Sequence, residues 1–300
     1  MSKLNSTPEP HRLFNLSLDL PLPQDVSKQE LFDFISSVLV EHAPEEEMKA
    51  YGTHDFKRFV YTWSLSRDIK GRCLELGANP YFTTMLLERY TSLELSLANY
   101  FGFSDNRIYS QSVSFKDIEH NKDCNITFDY EHFNIEEDKF PYKDNEFELV
   151  IFAEIIEHLL NDPCSVLREI KRVLKPDGYL VLTTPNVARL ENVARIIQGS
   201  NIYDPYSGYG PYGRHNREYN CHELVKLLEH EGFEIEVCFT SDVHVNNSSE
   251  YLDLNKVVDM LKTREKDLGQ YIFIRAKNTG NVATKKPSWL YRSLPAEQLD

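Results

Sequence analysis

Three hundred residues carry 47 acidic against 33 basic side chains, and the net charge of −14 argues against nucleic acid or an anionic membrane as partner. A hydrophobic content of 41% with 27% charged residues suits a globular chain with a sizeable core, and no run of about eighteen apolar residues offers a membrane span. Five cysteines without a C-x-x-C pair, and an N-terminus lacking the apolar core of a signal peptide, point to reduced thiols in a cytoplasmic protein and away from a structural zinc site.

Residues 1–25 are rich in proline and polar side chains and suggest an irregular arm. Ser27 then offers a helix N-cap and Glu30 completes a capping box, with Leu31, Phe34, Ile35, Val38 and Leu39 at helical spacing. A second helical stretch is expected over 45–66, followed by strand 72–76, helix 82–90 and strand 94–99. The segment 108–133 is ambiguous: 110–115 and 126–133 have strand character, separated by a polar connection over 116–125. Residues 149–153 have the length and apolar content of a buried parallel strand. Pro163 can open a helix with an apolar period over 166–174, Pro176-Asp177-Gly178 is a strong turn signal, and 179–184 returns as another buried strand. A helix over 187–198, a Tyr/Gly-rich loop over 199–219 and a helix over 221–231 stopped by Gly232 come next. Strand 234–240, a helix over 251–266 and strand 271–276 complete the series, and a tail over 285–300 with Trp289, Leu290 and Tyr291 is expected to dock on the body. Cys73 and Cys238 fall in strands and are expected in the core. Strands alternating with helices predict a mostly parallel sheet covered on both faces.

Two segments carry chemistry. In the first, Gly71-Arg-Cys-Leu-Glu-Leu-Gly-Ala-Asn-Pro-Tyr81, a strand ends in an acid and turns tightly into a helix. A lone buried carboxylate is costly, so Glu75 asks for a ligand donor or cation. Gly77 allows close backbone approach, and Asn79 suits a left-handed turn position. In the second segment, Glu154, Glu157 and His158 follow strand 149–153 at spacing i, i+3, i+4, which a helical turn would place on one face beyond a strand end.

Together these segments resemble class I S-adenosylmethionine-dependent methyltransferases, over about residues 70–276. The resemblance implies an α/β, Rossmann-like, mostly parallel seven-stranded sheet with helices on both faces, here with an N-terminal helical extension. It divides the chain into an arm and helices over 1–66 that cover the cofactor, a methyltransferase domain over 67–278 with an acceptor loop at 199–219, and a tail over 279–300. It also implies that Glu75 approaches the amino-acid end of S-adenosylmethionine, that the Gly77 turn admits it, that Asn99 meets the ribose and Asn134 the adenine, with Asn79 and Ala153 completing the cofactor side. The chain departs from the pattern where the family's turn glycines read Gly77, Asn79 and Tyr81, and where both adenosine-side acids are asparagine. An amide can still accept from a hydroxyl and also donate. A dinucleotide site would instead prefer G-x-G-x-x-G, which is missing.

The E-x-x-E-H motif is similar to that of ubiquinone-pathway O-methyltransferases, and small-RNA 2′-O-methyltransferases add a distant histidine to it as metal ligand. Carried over, Glu154, Glu157, His158 and His215 would hold a divalent Mg, Mn, Fe or Zn. The competing readings are His158 or His215 as general base with Glu154 beside them, or a polar helix start with no metal. The loop residues Tyr203, Tyr206, Tyr209, Tyr212 and Tyr219 suit an acceptor lid, and Tyr51 and His54 suit a cofactor cover. The expectation is O-methylation of a hydroxyl on a small molecule or carbohydrate unit. The alternatives are an RNA 2′-O-methyltransferase, opposed by the acidic charge, and a non-catalytic scaffold on a degenerate cofactor fold.

Overall fold

The computed structural model describes residues 16–102, 107–117, 120–208 and 210–300. It opens with α1 (Lys28–Ser36), whose capping box is formed by Ser27 and Glu30 as the sequence predicts, and a short β1 (Leu39–Val40). The helix expected over 45–66 is two helices, α2 (Glu45–His54) and α3 (Phe56–Ser66). The break falls at Asp55, whose carboxylate is held by Arg58 one turn on.

Next come β2 (Gly71–Leu76), α4 (Phe82–Tyr90) and β3 (Leu93–Asn99). The ambiguous segment forms an antiparallel hairpin, β4 (Ile108–Asp117) and β5 (Lys122–His132), so most of the expected polar connection is itself strand. After β6 (Phe147–Ala153) and α5 (Pro163–Val173), β7 (Leu174–Pro185) begins earlier than expected. The Pro176-Asp177-Gly178 signal is realised as a bulge inside it: the register jumps from Phe147↔Leu174 to Leu149↔Tyr179, and Asp177 takes φ +64°. A turn at Asn186 delays α6 to Leu190–Gln198, and α7 (Cys221–His230) leads into β8 (Phe233–Ser241). The helix expected over 251–266 is a series of short turns around a four-residue α8 (Val258–Leu261), before β9 (Tyr271–Asn278).

Among the described residues the sheet has nine strands in the order β1-β4-β5-β3-β2-β6-β7-β9-β8, rather than the expected seven. The five central strands, β5 to β7 in that order, run parallel, and antiparallel strands flank them on both sides. The two additional strands, β1 and β4, lie together at one edge, where the hairpin turns the chain back. From β2 the chain moves outward through β3 and β5, then returns to β6 on the other side. That reversal opens a crevice at the carboxyl ends of β2 and β6, where open α/β sheets bind ligands.

Alternation along the strands sends Cys73, Leu149 and Ile151 to a core shared with α1, α3 and α4, including Leu31, Phe59, Trp63 and Phe82. Leu74, Leu76, Val150 and Phe152 face the opposite core, with Val166 and Leu167 of α5 and Leu224 and Leu227 of α7. Cys238 is exposed, contrary to expectation, because β8 is the sheet's outer strand. The tail docks as predicted: Leu290 and Tyr291 pack on the second core, and Lys286 and the Tyr291 hydroxyl both reach Asp162. Among the described residues no helix is long and apolar enough to cross a membrane.

Candidate active site

At the end of β2, Gly77 has φ +66°, and its N–H donates to Ala98 O at 2.8 Å. A Cβ there would meet only the tip of the Ile155 side chain, Cδ1 at 2.8 Å, which can move, so it is the left-handed backbone that favours glycine. Beside it lies a cavity of about 180 Å³, walled by Leu76, Ala98 and Phe133 and bordered by Asn99, Asn134 and Glu154. Asn99 is buried; its Oδ1 accepts from the Asn79 N–H at 2.8 Å and its Nδ2 donates to the Tyr81 hydroxyl at 3.1 Å. Asn134 accepts from the Glu136 N–H at 3.0 Å and donates to the Tyr212 hydroxyl at 3.3 Å. The left-handed residue of the turn is Tyr81 (φ +69°), not Asn79. Asn79 instead donates its side-chain amide to Gln111 at 3.0 Å.

Glu75 lies under this turn, on the face of α4, and is not among the cavity walls. Its carboxylate accepts from Thr84 Oγ1 at 2.6 Å, and burial pushes the carboxyl up to about 8, against the lowering effect of that hydroxyl. Ala153 ends β6, half-buried, and hands the chain to Glu154 at the cavity.

Glu154 takes φ +55°, donates its N–H to Thr183 O at 2.8 Å and accepts from Thr183 Oγ1 at 2.7 Å. A single tight turn over Ile156–His158 follows, so the expected common helical face for Glu154, Glu157 and His158 does not form. Glu157 is fully buried; its Oε2 accepts from Thr184 Oγ1 at 2.9 Å, while Oε1 has no hydrogen-bond partner. Burial, reinforced by the nearby Glu154, pushes the Glu157 carboxyl up to about 8. His158 donates from Nδ1 to the Arg214 carbonyl at 2.8 Å, and burial lowers its pKa. His215 Nδ1 lies 2.9 Å from Glu218 Oε1, and Glu218 also receives Arg189 at 2.7 Å. Burial opposes the imidazolium of His215, but Glu218 and Glu157 outweigh it and raise its pKa.

The two rings lie 5.1 Å apart, and ligand atoms of Glu157, His158 and His215 fall within 4.8 Å of one another. Glu154, the fourth residue of the expected metal set, is not within that group: its left-handed backbone turns the carboxyl toward Thr183 and the field of Arg58.

Arg58 was not anticipated from the sequence. It is buried on α3, donating from Nε to Asp55 at 2.8 Å and from Nη2 to the Tyr51 hydroxyl at 2.5 Å. The available signal was an arginine at a core-facing position of the apolar helix FKRFVYTWSLS. Tyr51 thus serves to hold Arg58, whereas His54 is exposed, its ring 6.4 Å from His244. Of the loop tyrosines, Tyr212 reaches the cavity, Tyr203 and Tyr206 are exposed, and Tyr219 is buried in the second core rather than in a lid. Tyr209 lies outside the described residues.

The strand order around β2 and β6 and the glycine turn that follows β2 are those of a Rossmann-like α/β fold of the methyltransferase type. A model of the methyltransferase domain matches residues 48–237, and the chain belongs to this family, the class I S-adenosylmethionine-dependent methyltransferases. A Mycolicibacterium smegmatis protein named as a probable S-adenosylmethionine-dependent methyltransferase is 34% identical over 108 residues, a stretch that spans 36% of each chain. Among solved structures, an S-adenosylmethionine-dependent methyltransferase from Archaeoglobus fulgidus is similar at 18% identity with a TM-score of 0.44, over 79% of this chain and 95% of that one. One from Thermotoga maritima is similar at 17% identity with a TM-score of 0.45, over 78% of this chain and 95% of that one. The cavity's lining suits the cofactor: Gly77 places backbone without a side chain on its wall, and apolar surface is combined with the Asn134 amide.

Proposed function

We propose that this chain methylates a hydroxyl of a small molecule or sugar unit in the cytosol, aided by a divalent metal at Glu157, His158 and His215. The observation that carries the reaction side is the meeting of two imidazoles with the partnerless Oε1 of Glu157 beside the cavity. When bound, S-adenosylmethionine supplies an electrophilic methyl group on a sulfonium centre. The Gly77 turn would hold its amino-acid end, Asn99 and Asn134 would border the adenosyl part, and Glu75 would support the turn from below. The guanidinium of Arg58, two of whose five N–H donors are used by Asp55 and Tyr51, keeps donors that could serve a carboxylate.

As an acceptor oxygen takes the methyl group, its O–H bond breaks and the proton must leave. Burial holds His158 neutral, so its Nε2 lone pair can take that proton. A divalent cation at Glu157, His158 and His215 would instead lower the hydroxyl's pKa and orient it. The donor set supports this second role, because each imidazole has its Nδ1 tied, so that Nε2 is the nitrogen that would serve as ligand. The two roles are exclusive for His158.

The test is transfer of labelled methyl to catechols, phenols and monosaccharides, with and without chelator. Methylated hydroxyl products support the reading, and loss of turnover with chelator supports the metal. Transfer only to amines or thiols overturns O-methylation, salt-sensitive transfer to RNA favours the nucleic-acid alternative, and no cofactor binding at millimolar ligand leaves a scaffold.

A further inference from the structure

We propose that Gln111, on the accessory strand β4, is a positioning residue for the cofactor turn and sets the affinity for the cofactor. The proposal rests on the S-adenosylmethionine reading of the cavity. The turn from Gly77 to Tyr81 carries glycine at one end only. At the other end a tyrosine holds the left-handed conformation (φ +69°, ψ +9°), which residues with a Cβ adopt only at a cost. Something outside the turn must therefore hold it.

A single rung of the β4–β5 hairpin does so. Gln111 pairs with Phe128 across the two strands. The Phe128 ring stacks on Tyr81 at 5.4 Å and 17°, gripping its face. Oε1 of Gln111 accepts from the Tyr81 hydroxyl at 3.0 Å, gripping its tip. The same oxygen accepts from Asn79 Nδ2 at 3.0 Å, so its two lone pairs bind the middle and the end of the turn. Tyr81 is fully buried, so these contacts fix it without help from solvent.

The network reaches the cavity through Asn99. Its Nδ2 donates to the Tyr81 hydroxyl at 3.1 Å and its Oδ1 accepts from the Asn79 N–H at 2.8 Å. Asn99 borders the cavity, and Gly77 begins the same turn. Removing the Gln111 oxygen would take the acceptor from the buried Tyr81 hydroxyl and leave the half-buried Asn79 amide to solvent, freeing the turn to relax and moving both cavity residues together. A strand added outside the five parallel strands thereby does for Tyr81 what glycine would do by its own conformational freedom.

The experiment is calorimetric titration of the full chain with S-adenosylhomocysteine, alongside Michaelis constants for cofactor and acceptor. Gln111→Leu is expected to weaken binding about tenfold, the scale of losing one or two part-buried hydrogen bonds. It should raise the cofactor KM while leaving kcat at saturating cofactor within about twofold of wild type. Gln111→Glu keeps an acceptor with lone pairs for both donors and should restore wild-type affinity, a rescue that loss of bulk packing would not give. Unchanged affinity in Gln111→Leu, or a fall in kcat with cofactor KM unchanged, overturns the proposal. Should Gln111→Leu fail to fold, Tyr81→Phe removes a single hydroxyl and is expected to weaken binding about threefold; wild-type affinity there overturns the proposal. Absence of binding by the wild-type chain overturns the cofactor reading, and the proposal with it.

Discussion

Nε2 of His158 lies 3.8 Å from Oε1 of Glu157, a buried carboxylate oxygen that has no hydrogen-bond partner. A partnerless buried oxygen is costly, and the surrounding groups are arranged to leave it so: Thr184 satisfies the other oxygen, and each histidine is tied by its far nitrogen. Such tethering of the far ring nitrogen is how proteins orient metal-binding imidazoles. Chelator-treated protein titrated with Mn²⁺ or Zn²⁺ should therefore take up one equivalent. Glu157→Ala should abolish that uptake, and Glu218→Gln, which weakens the tether of His215 together with the Arg189 ion pair, should lower it by about 10- to 100-fold. Glu154→Ala should leave metal affinity within about threefold, because Glu154 stands outside the ligand group. Wild-type protein that binds neither ion would leave Glu157 without this explanation.

Proton removal can be separated from metal binding by kinetics. If His158 acts as the base, His158→Ala should lower kcat by about 10²- to 10⁴-fold while the affinity for S-adenosylhomocysteine stays near wild type. Turnover in the presence of chelator would then be retained by the wild-type enzyme. If chelator abolishes turnover and His158→Ala and His215→Ala lose bound metal in parallel, ligation is the role of both rings.

Arg58 and Asp55 form a pair with side chains 7% and 9% exposed. Removing one member of a buried pair strands the other, at about 3–5 kcal/mol. Arg58→Leu should lower stability on that scale, measured by urea denaturation, and the double change with Asp55→Leu should recover much of the loss. Arg58→Lys preserves the charge but not the planar fork, and should weaken S-adenosylmethionine binding about tenfold if the guanidinium grips a carboxylate. Unaltered cofactor affinity in Arg58→Lys would assign the arginine to the Asp55–Tyr51 contact alone.

The parts that local chemistry specifies were legible in the sequence. Ser27 and Glu30 announced the first cap, Gly77 the tight turn that ends β2, and the apolar run ending at Ala153 the strand that delivers Glu154. What escaped depends on long-range contact. The break at Asp55 arises from an ion pair inside a continuous helical pattern, and Arg58 looks like an interruption of an apolar face until Tyr51 is beside it. Glu154 satisfies an i, i+3, i+4 pattern with Glu157 and His158, yet spacing carries no information about a left-handed backbone at the first position. Tyr81 is the clearest case: it stands where a glycine was expected, and its support comes from Gln111, thirty residues further along the chain. Cys238 misled because strand periodicity does not say which strand lies at the sheet's outer edge.

The protonation of Glu75 ties the stability of the fold to pH. Burial raises its carboxyl from the ordinary value of 4.5 to about 8, so between those values the folded protein without ligand holds a proton that the unfolded chain releases. Stability from this group is therefore full below pH 4.5 and is lost as pH rises toward 8, at up to about 1.4 kcal/mol for each pH unit crossed. Glu75→Gln keeps an oxygen to accept from Thr84 but cannot ionise. Urea midpoints measured without ligand at about pH 5, 7 and 9 should show the variant gaining on the wild type as pH rises. Parallel profiles for the two proteins would mean that Glu75 is already ionised in the fold, with a partner stronger than the Thr84 hydroxyl. Bound S-adenosylmethionine brings a positive charge toward this turn, so it should flatten the wild-type profile and narrow its difference from Glu75→Gln.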